Sequence, residues 1–190
     1  MKLRKIIAVL ITTAIMAVAF TACGGNSADK KAADTAAATV TIADGVYYGT
    51  GYHFSLDDTW KVSEIVQEGI ECTMQLASPE NEMEAATMLA VQPLPDAKGT
   101  AKTLGEAMAA EYQMVQDITV LSQGECAVGE QAAYSVVIQM LSADGIKVNM
   151  NQLVISNGSN ACTVMITAGE NYYNSAIEKA ESLLSTFVVD

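Results

Sequence analysis

Residues 132–167 read AAYSVVIQMLSADGIKVNMNQLVISNGSNACTVMIT. Three segments of this stretch, 132–141, 146–155 and 162–167, are rich in β-branched and apolar residues, which is typical of β-strands. Between them lie Asp-Gly at 144–145 and Asn-Gly at 157–158, dipeptides that favour the two-residue type I′ turn of an antiparallel hairpin. The stretch therefore predicts three consecutive strands of an antiparallel meander.

Further strands are predicted on the N-terminal side of this meander, at 52–56, from Trp60, at 70–77, at 87–91 and at 118–121. The 70–77 segment shows the clearest alternation, because Ile70, Cys72, Met74 and Leu76 are separated by single, mostly polar residues. Successive side chains of a strand point to opposite faces of the sheet. This segment therefore predicts a half-buried strand with those four residues on one face.

Two amphipathic helices complete the prediction. Thr103 and Glu106 have the spacing of a capping box, and Leu104, Met108, Tyr112 and Val115 follow at helical intervals. Gly105 weakens this helix by about 1 kcal/mol relative to alanine. Near the C-terminus the residues at helical spacing are Tyr173, Ile177, Ala180, Leu184 and Phe187. The predicted class is α+β, with a twisted antiparallel sheet packed against helices.

The order of these elements resembles the PsbP-like fold, an α/β/α sandwich. The resemblance rests on Phe54-Ser55-Leu56 with Trp60, on the helix and meander that follow, and on the closing residues 183–187 (LLSTF). This fold is shared by an extrinsic photosystem subunit, a Ran-binding nuclear import factor and bacterial surface lipoproteins. The resemblance would cover residues 45–190, and it implies docking surfaces more than catalysis.

The N-terminus has the pattern of a bacterial export signal. Residues 1–5 are basic and residues 6–20 form an uncharged apolar run, shorter than the roughly 20 residues needed to span a bilayer. The following Thr21-Ala22-Cys23 resembles a lipobox, which implies cleavage of a signal peptide at residues 1–22 and a thioether-linked diacylglyceryl group on Cys23. Two acyl chains hold a protein on a membrane where one holds only marginally. The alternative is an ordinary secretory signal cut nearby.

Residues 23–44 are interpreted as the lipidated cysteine and a flexible linker, because the segment is small, polar and alanine-rich. A short helix through the alanines is the alternative. Residues 45–190 are predicted to form one domain, with 19 acidic residues against 5 lysines. That balance excludes a phosphate-tracking surface, and hence nucleic acid, as a partner. The expected partners are the lipid bilayer and an envelope protein that the sequence does not identify.

Few residues could support catalysis. His53 is the only histidine, so a Ser-His or Cys-His nucleophile pair would have to use it, and Cys126 is the candidate thiol. The cysteines contain no C-x-x-C pair for zinc or dithiol exchange. Cys72 and Cys162 are interpreted as small buried apolar residues, and a disulfide between them stays open as an alternative.

No metal or cofactor site is predicted. Glu80, Glu82 and Glu84 cluster in the segment PENEMEA, but the spacing of a calcium-binding EF-hand is absent. The cluster is interpreted as a solvated loop, with weak divalent binding as the alternative. Gly49-Thr50-Gly51 lacks the third glycine of a dinucleotide fingerprint.

Three functional hypotheses follow. The first is a membrane-anchored lipoprotein on the extracytoplasmic face of a bacterial membrane, whose acidic domain is a non-catalytic binding or accessory module of the envelope. The second is a small-ligand carrier with an apolar groove between sheet and helix, lined by Met140, Met150 and Met165. The third, a hydrolase using His53, has the least support. Tyr47, Tyr48 and Tyr52 could either anchor a partner or belong to a strand edge.

Overall fold

The computed structural model describes residues 41–65, 67–142 and 144–190. The predicted signal peptide, Cys23 and the linker up to residue 40 lie outside this part of the chain. Among the described residues, no helix has the length and apolar character needed to cross a membrane.

In chain order the elements are β1 Thr41–Ala43, β2 Val46–Gly49, β3 Tyr52–Ser55, β4 Trp60–Val62, β5 Cys72–Leu76, β6 Met88–Pro93, α1 Ala101–Met114, β7 Ile118–Val128, β8 Gln131–Leu141, β9 Lys147–Ser156, β10 Ala161–Gly169, α2 Tyr173–Ser185 and β11 Val188–Val189. Single 3₁₀ turns at Glu84–Ala86 and Glu170–Tyr172 interrupt two of the connections.

The large sheet contains seven antiparallel strands in the order β4-β5-β6-β10-β9-β8-β7. Strand β7 pairs with β8, β8 with β9 and β9 with β10, so the predicted meander is confirmed. The predicted strand at 118–121 is longer than expected, because β7 continues to Val128 after a bulge between Val120 and Ser122.

A second sheet, β1-β2-β3-β11, has four short strands. Its first strand, β1, lies in the segment interpreted as linker, so regular structure is present before Gly45. Ala43 pairs with Val46 across Asp44 and Gly45, whose φ angles of 51° and 77° match a type I′ turn. This Asp-Gly pair makes the two-residue hairpin that the sequence analysis placed elsewhere.

The two predicted type I′ turns are wrong in length. Leu141 pairs with Lys147 and Ser156 pairs with Ala161, so the connections are the longer loops 142–146 and 157–160. Side-chain acceptors close the second loop, since the Asn157 carboxamide oxygen accepts from the backbone N–H groups of residues 159 and 160 at 3.0 and 2.9 Å. Turns closed by an asparagine side chain in this way compete with the two-residue hairpin turn that Asn157-Gly158 favours.

Helix α1 begins one turn earlier than predicted. Its N-cap is Thr100, whose hydroxyl oxygen accepts from the Thr103 N–H at 3.2 Å, so Thr103 lies inside the first turn and no Thr103–Glu106 capping box starts the helix. Gly105 is a packing residue, because a β-carbon there would lie 2.3 Å from the Tyr134 ring. Its lack of a side chain lets α1 approach β8.

Helix α2 buries Ala176, Ala180 and Leu183. Of the predicted stripe, only Ala180 is fully buried within the helix, and Phe187 lies beyond its end. The predicted face was displaced because the large apolar residues Ile177 and Leu184 flank the contact line, while small alanines allow the closest approach to the sheet.

The large sheet lies between two cores, which confirms the predicted α/β/α sandwich. Helix α1 packs on one face, and α2 with the small sheet packs on the other. Cys72, Met74 and Leu76 share the α2 side as predicted, but Ile70 packs on the α1 side. Ile70 precedes β5 in a turn bridged to Gln67, so strand alternation does not reach it.

Candidate functional site

Part of the large sheet stays open on the side where α2 packs. The strand register places Asn149, Gln139 and Thr119 in one row across β9, β8 and β7, and Asn151, Val137 and Ser122 in the next. The third row is Leu153, Ser135 and Gly124. All members of these rows except Leu153 form what is called here the polar sheet face: Thr119, Ser122, Gly124, Ser135, Val137, Gln139, Asn149 and Asn151. Thr119 and Ser122 are exposed, Asn149 is buried, and the others are partly buried.

Hydrogen bonds hold the side chains of this face in place. The Ser135 hydroxyl donates to the Asn151 carboxamide oxygen at 2.7 Å, and the Gln139 amide donates to the Asn149 oxygen at 3.0 Å. At the rim, Gln139 and Lys147 both donate to the Glu170 carboxylate, at 3.1 and 3.4 Å. The face itself has no charged side chain, and the Lys147–Glu170 pair marks its border.

A shallow pocket adjoins this rim. It is lined by Met83, Ile146, Lys147, Gly169, Glu170, Asn171 and Tyr172, with a volume of about 130 Å³. Pockets that enclose small ligands usually measure about 300 to 1,000 Å³. The pocket is therefore too small to hold a cofactor-sized molecule by itself.

The methionines assigned to the carrier hypothesis lie on the opposite side of the sheet. Met140, Met150 and Met165 are all buried in the core beneath α1. They fill the space in which an apolar ligand would have to bind, so the geometry does not favour a groove at this place.

His53 lies on β3 with its ring partly exposed, and its Nδ1 is 2.9 Å from the Asp190 carboxylate. The Tyr48 ring stacks beside it at a centroid distance of 5.9 Å. Cys126 belongs to β7, at the far edge of the other sheet. The hydrolase hypothesis needs a nucleophile beside the imidazole, and the contact that the structure shows there is a carboxylate.

The three described cysteines are free thiols. Cys72 on β5 and Cys162 on β10 have β6 between them, which separates them by two strand spacings, or about 10 Å. A disulfide needs Cα atoms within about 7 Å, so the Cys72–Cys162 alternative is wrong for this fold. Burial raises the pKa of each of these thiols to about 12, which keeps them protonated and unreactive at neutral pH. Cys126 is exposed.

The carboxylates of Glu80, Glu82 and Glu84 do not converge. Glu84 is buried and its carboxylate pairs with the Lys179 ammonium group, while Glu80 and Glu82 are exposed. Glu84 also accepts from the Glu80 backbone N–H at 2.6 Å. Within the described residues, no three or more His, Cys, Asp or Glu side chains are grouped so as to hold a metal ion.

The N-terminal tyrosines divide into two groups. Tyr47 and Tyr52 are fully buried in a stack of aromatic rings with Phe54 and Phe187. Tyr48 points the other way and is 46% exposed. Only Tyr48 is therefore free to contact a partner.

Two bacterial proteins are among the solved structures with a similar fold. One is LpqN, described as involved in cell envelope biogenesis of Mycobacterium tuberculosis, at a TM-score of 0.56 and 9% identity over 72% of this chain and 82% of that chain. The other is the cyanobacterial PsbP protein CyanoP from Synechocystis sp. PCC 6803, at a TM-score of 0.51 and 17% identity over 90% of this chain and 99% of that chain. The fold is PsbP-like. No protein-family model matches the sequence, and no curated protein is detectably similar to it.

None of the motifs identified in the sequence lies in the polar sheet face. Its signal is an alternation of polar residues on neighbouring strands, namely Ser135 and Gln139 among the valines and isoleucines of β8, and Asn149 and Asn151 around Met150 in β9. Because β8 and β9 are consecutive strands that pair with each other, their alternating polar residues predict that part of one sheet face is polar.

Proposed function

We propose that this chain is a lipid-anchored protein of a bacterial membrane's extracytoplasmic side, and that its domain is a non-catalytic binding module of the cell envelope. The observation that carries the binding role is the polar sheet face, an uncharged hydrogen-bonding surface on a domain with 19 acidic residues and 5 lysines. The resemblance of Thr21-Ala22-Cys23 to a lipobox is the observation that supports the lipid anchor. The PsbP-like fold of LpqN, a protein described as involved in envelope biogenesis, supports the same setting.

The chemistry of the face favours a macromolecular partner. Serine, asparagine and glutamine side chains exchange hydrogen bonds with backbone amides and hydroxyl groups, and each such bond contributes about 0.5 to 1.5 kcal/mol net. The side chains of this face along β7 are small, and the pocket at its rim measures only about 130 Å³, so a ligand would be bound over an area and not enclosed in a cavity. Area-wide contact of this kind is typical of protein–protein recognition.

The titratable groups support a role without catalysis. Cys72 and Cys162 are buried and protonated at neutral pH, and burial also raises the pKa of the Cys126 thiol. His53 is paired with Asp190, whose carboxylate is the hydrogen-bonding partner of its ring among residues 41–65, 67–142 and 144–190. A nucleophile and a general base must lie within hydrogen-bonding reach of each other, and these residues do not form such a pair.

The anchor is tested by Cys23→Ala. The wild-type chain is expected in the membrane fraction, with a diacylglyceryl group on Cys23 in the mass spectrum of its N-terminal peptide. Cys23→Ala is expected to lose both the acyl mass and the processing at residue 22. Cys126→Ala, which removes the exposed thiol of the described domain, is the matched control and should be acylated normally. A wild-type N-terminal peptide without acyl groups would refute the anchor.

The binding surface is tested with a photo-cross-linking amino acid at Val137, in the middle row of the polar sheet face. Irradiated cells are expected to show one dominant product with another envelope protein. Ser122→Arg, on the residue paired with Val137, should reduce its yield at least tenfold, because a charged side chain then occupies the face. Ser182→Arg on the exposed side of α2 is the control and should leave the yield unchanged. Equal labelling in all three proteins would contradict the proposal.

A further inference from the structure

The outer edge of β7 is the unprotected edge of the large sheet. β7 is the last strand in the sheet order and pairs only with β8 among the described residues. Its eleven residues are mostly exposed. An edge of this length presents a row of unpaired backbone N–H and C=O groups, which can template pairing with another strand.

The opposite edge of the same sheet provides an internal comparison. β4 has three residues, and Lys61 lies at its centre. Shortness and an edge lysine are two devices by which proteins prevent edge-to-edge pairing. β7 has neither lysine nor proline, and its bulge between Val120 and Ser122 interrupts only the first half. Residues 122–128 form a regular edge with none of those devices.

This edge carries almost no net charge. Glu125 is its only charged residue, and the Lys102 ammonium lies 3.3 Å from the Glu125 carboxylate. The acidic residues elsewhere on the domain act through water and salt, which screen charges separated by more than about 8 Å at physiological ionic strength. In a pair of such edges centred on Glu125, each Glu125 would bring its own Lys102 counter-charge to the contact, so the edges can meet even though the two domains are both acidic.

We propose that the occupant is a second copy of this chain, whose residues 122–128 pair antiparallel with the same residues across a two-fold axis. Such a contact is self-complementary, and two-fold dimers are the commonest soluble oligomers. The axis of an antiparallel pair within a continuous sheet is perpendicular to the sheet. The two polar sheet faces would therefore lie on the same side and join across the contact.

The side chains at the junction allow this continuation. Ser122, Gly124 and Cys126 are the residues of 122–128 that face the polar side before Val128, and all three are small. A β-carbon on Gly124 would meet no atom within 4 Å, so the edge is open at its centre. Two copies would thereby form one extended hydrogen-bonding surface.

The position of the N-terminus favours a second copy over an unrelated strand. The small sheet, which contains Thr41, packs on the same side of the large sheet as α2. A perpendicular two-fold axis keeps both small sheets on that side, so the two Thr41 residues would lie on the same side of the joined sheet, as two anchors in one bilayer require. This step rests on the proposed anchoring, and confinement to a membrane raises the effective concentration of the pair.

The test uses the full lipidated chain in its membrane, with a short bismaleimide as cross-linker. Cys126 is the exposed thiol of the described residues, and pairing centred on Glu125 places the two Cys126 residues on a diagonal about 7 to 8 Å apart. A covalent dimer is expected, and sedimentation equilibrium in detergent should give twice the chain mass. Gly124→Lys should lower the cross-linking yield at least tenfold and give the monomer mass. The control Ser182→Lys, on an exposed α2 residue, should remain dimeric.

Three results would overturn the proposal: a monomeric wild-type chain, a dimer that Gly124→Lys leaves intact, or a Cys126 product that contains a different protein. The last would assign the edge to a partner's strand. Circular dichroism of Gly124→Lys checks that the variant is folded. The proposed function is tested separately by the acylation of Cys23 and by the Val137 cross-link. Neither result requires a dimer, so the two proposals can fail independently.

Discussion

Replacing Phe187 with alanine is expected to lower the free energy of unfolding by about 3 to 5 kcal/mol. Phe187 is only 1% exposed, and its ring stacks on Tyr52 and Phe54 at centroid distances of 5.5 and 5.6 Å. These rings lie in the core between the small and the large sheet, so alanine would leave a cavity at the junction of the two. Domains are stable by about 5 to 15 kcal/mol, and the variant would lose a large part of that margin.

Urea-induced unfolding followed by the fluorescence of Trp60 measures this effect, because Trp60 is the only tryptophan and is buried in the same core. Phe187→Leu is the matched control. It keeps most of the apolar volume and loses the ring stacking, which is worth about 0.5 to 1.5 kcal/mol beyond burial. A loss below about 1 kcal/mol for Phe187→Ala would show that the aromatic stack does not join the sheets.

The strands of the large sheet were predictable because local pattern and tertiary environment agree there. β8, β9 and β10 are long and rich in valine, isoleucine and methionine, and the large sheet buries them. The strands β1 and β11 have three and two residues, which is too short for any periodicity. They form only because β2 and β3 provide edges to pair with. For β11 this pairing joins residues far apart in the sequence, so no local pattern predicts it.

The predictions that were wrong or incomplete also failed because contacts elsewhere in the fold override a local pattern. The capping box at Thr103 is a valid local signal, but Thr100 satisfies the same N–H group and starts the helix earlier. The penalty assigned to Gly105 considered the isolated helix, whereas Tyr134 of β8 occupies the space a side chain would need. The alternating polar residues of β8 and β9 indicate a sheet face that is partly polar, but contacts between residues far apart in the sequence decide which half of the large sheet α2 covers.

Replacing Glu84 with glutamine is expected to lower stability at pH 7 by about 1 to 3 kcal/mol, between the values for an exposed and a buried ion pair, because the Lys179 side chain is 32% exposed. Glu84 is 5% exposed, and its carboxylate binds the Lys179 ammonium group. The backbone carbonyl of Lys179 accepts from the Trp60 indole at 2.9 Å, so the pair links the Glu84 loop to α2 at the place where α2 meets β4. Glutamine keeps the shape of the side chain but leaves the lysine without its counter-charge.

The effect should depend on pH in a defined direction. The hydrogen bond from Lys179, together with the N–H of Glu80, holds the pKa of Glu84 below its usual value of 4.5. A carboxyl group with a lowered pKa in the folded state contributes stability that is fully present above its unfolded pKa and is lost as the pH falls through the folded one. The difference between wild type and Glu84→Gln should therefore be constant near neutrality, shrink below about pH 4.5, and vanish in stronger acid.

Urea midpoints measured across this pH range test the prediction. Glu82→Gln, an exposed carboxylate of the same loop, is the control and should match the wild type at every pH. Lys179→Met removes the other partner and should reproduce both the loss at pH 7 and its disappearance in acid, because the unpaired Glu84 then has no lysine to hold its pKa down. A difference between wild type and Glu84→Gln that persists unchanged in strong acid would mean that the glutamine disturbs packing, and that the ion pair does not stabilise this junction.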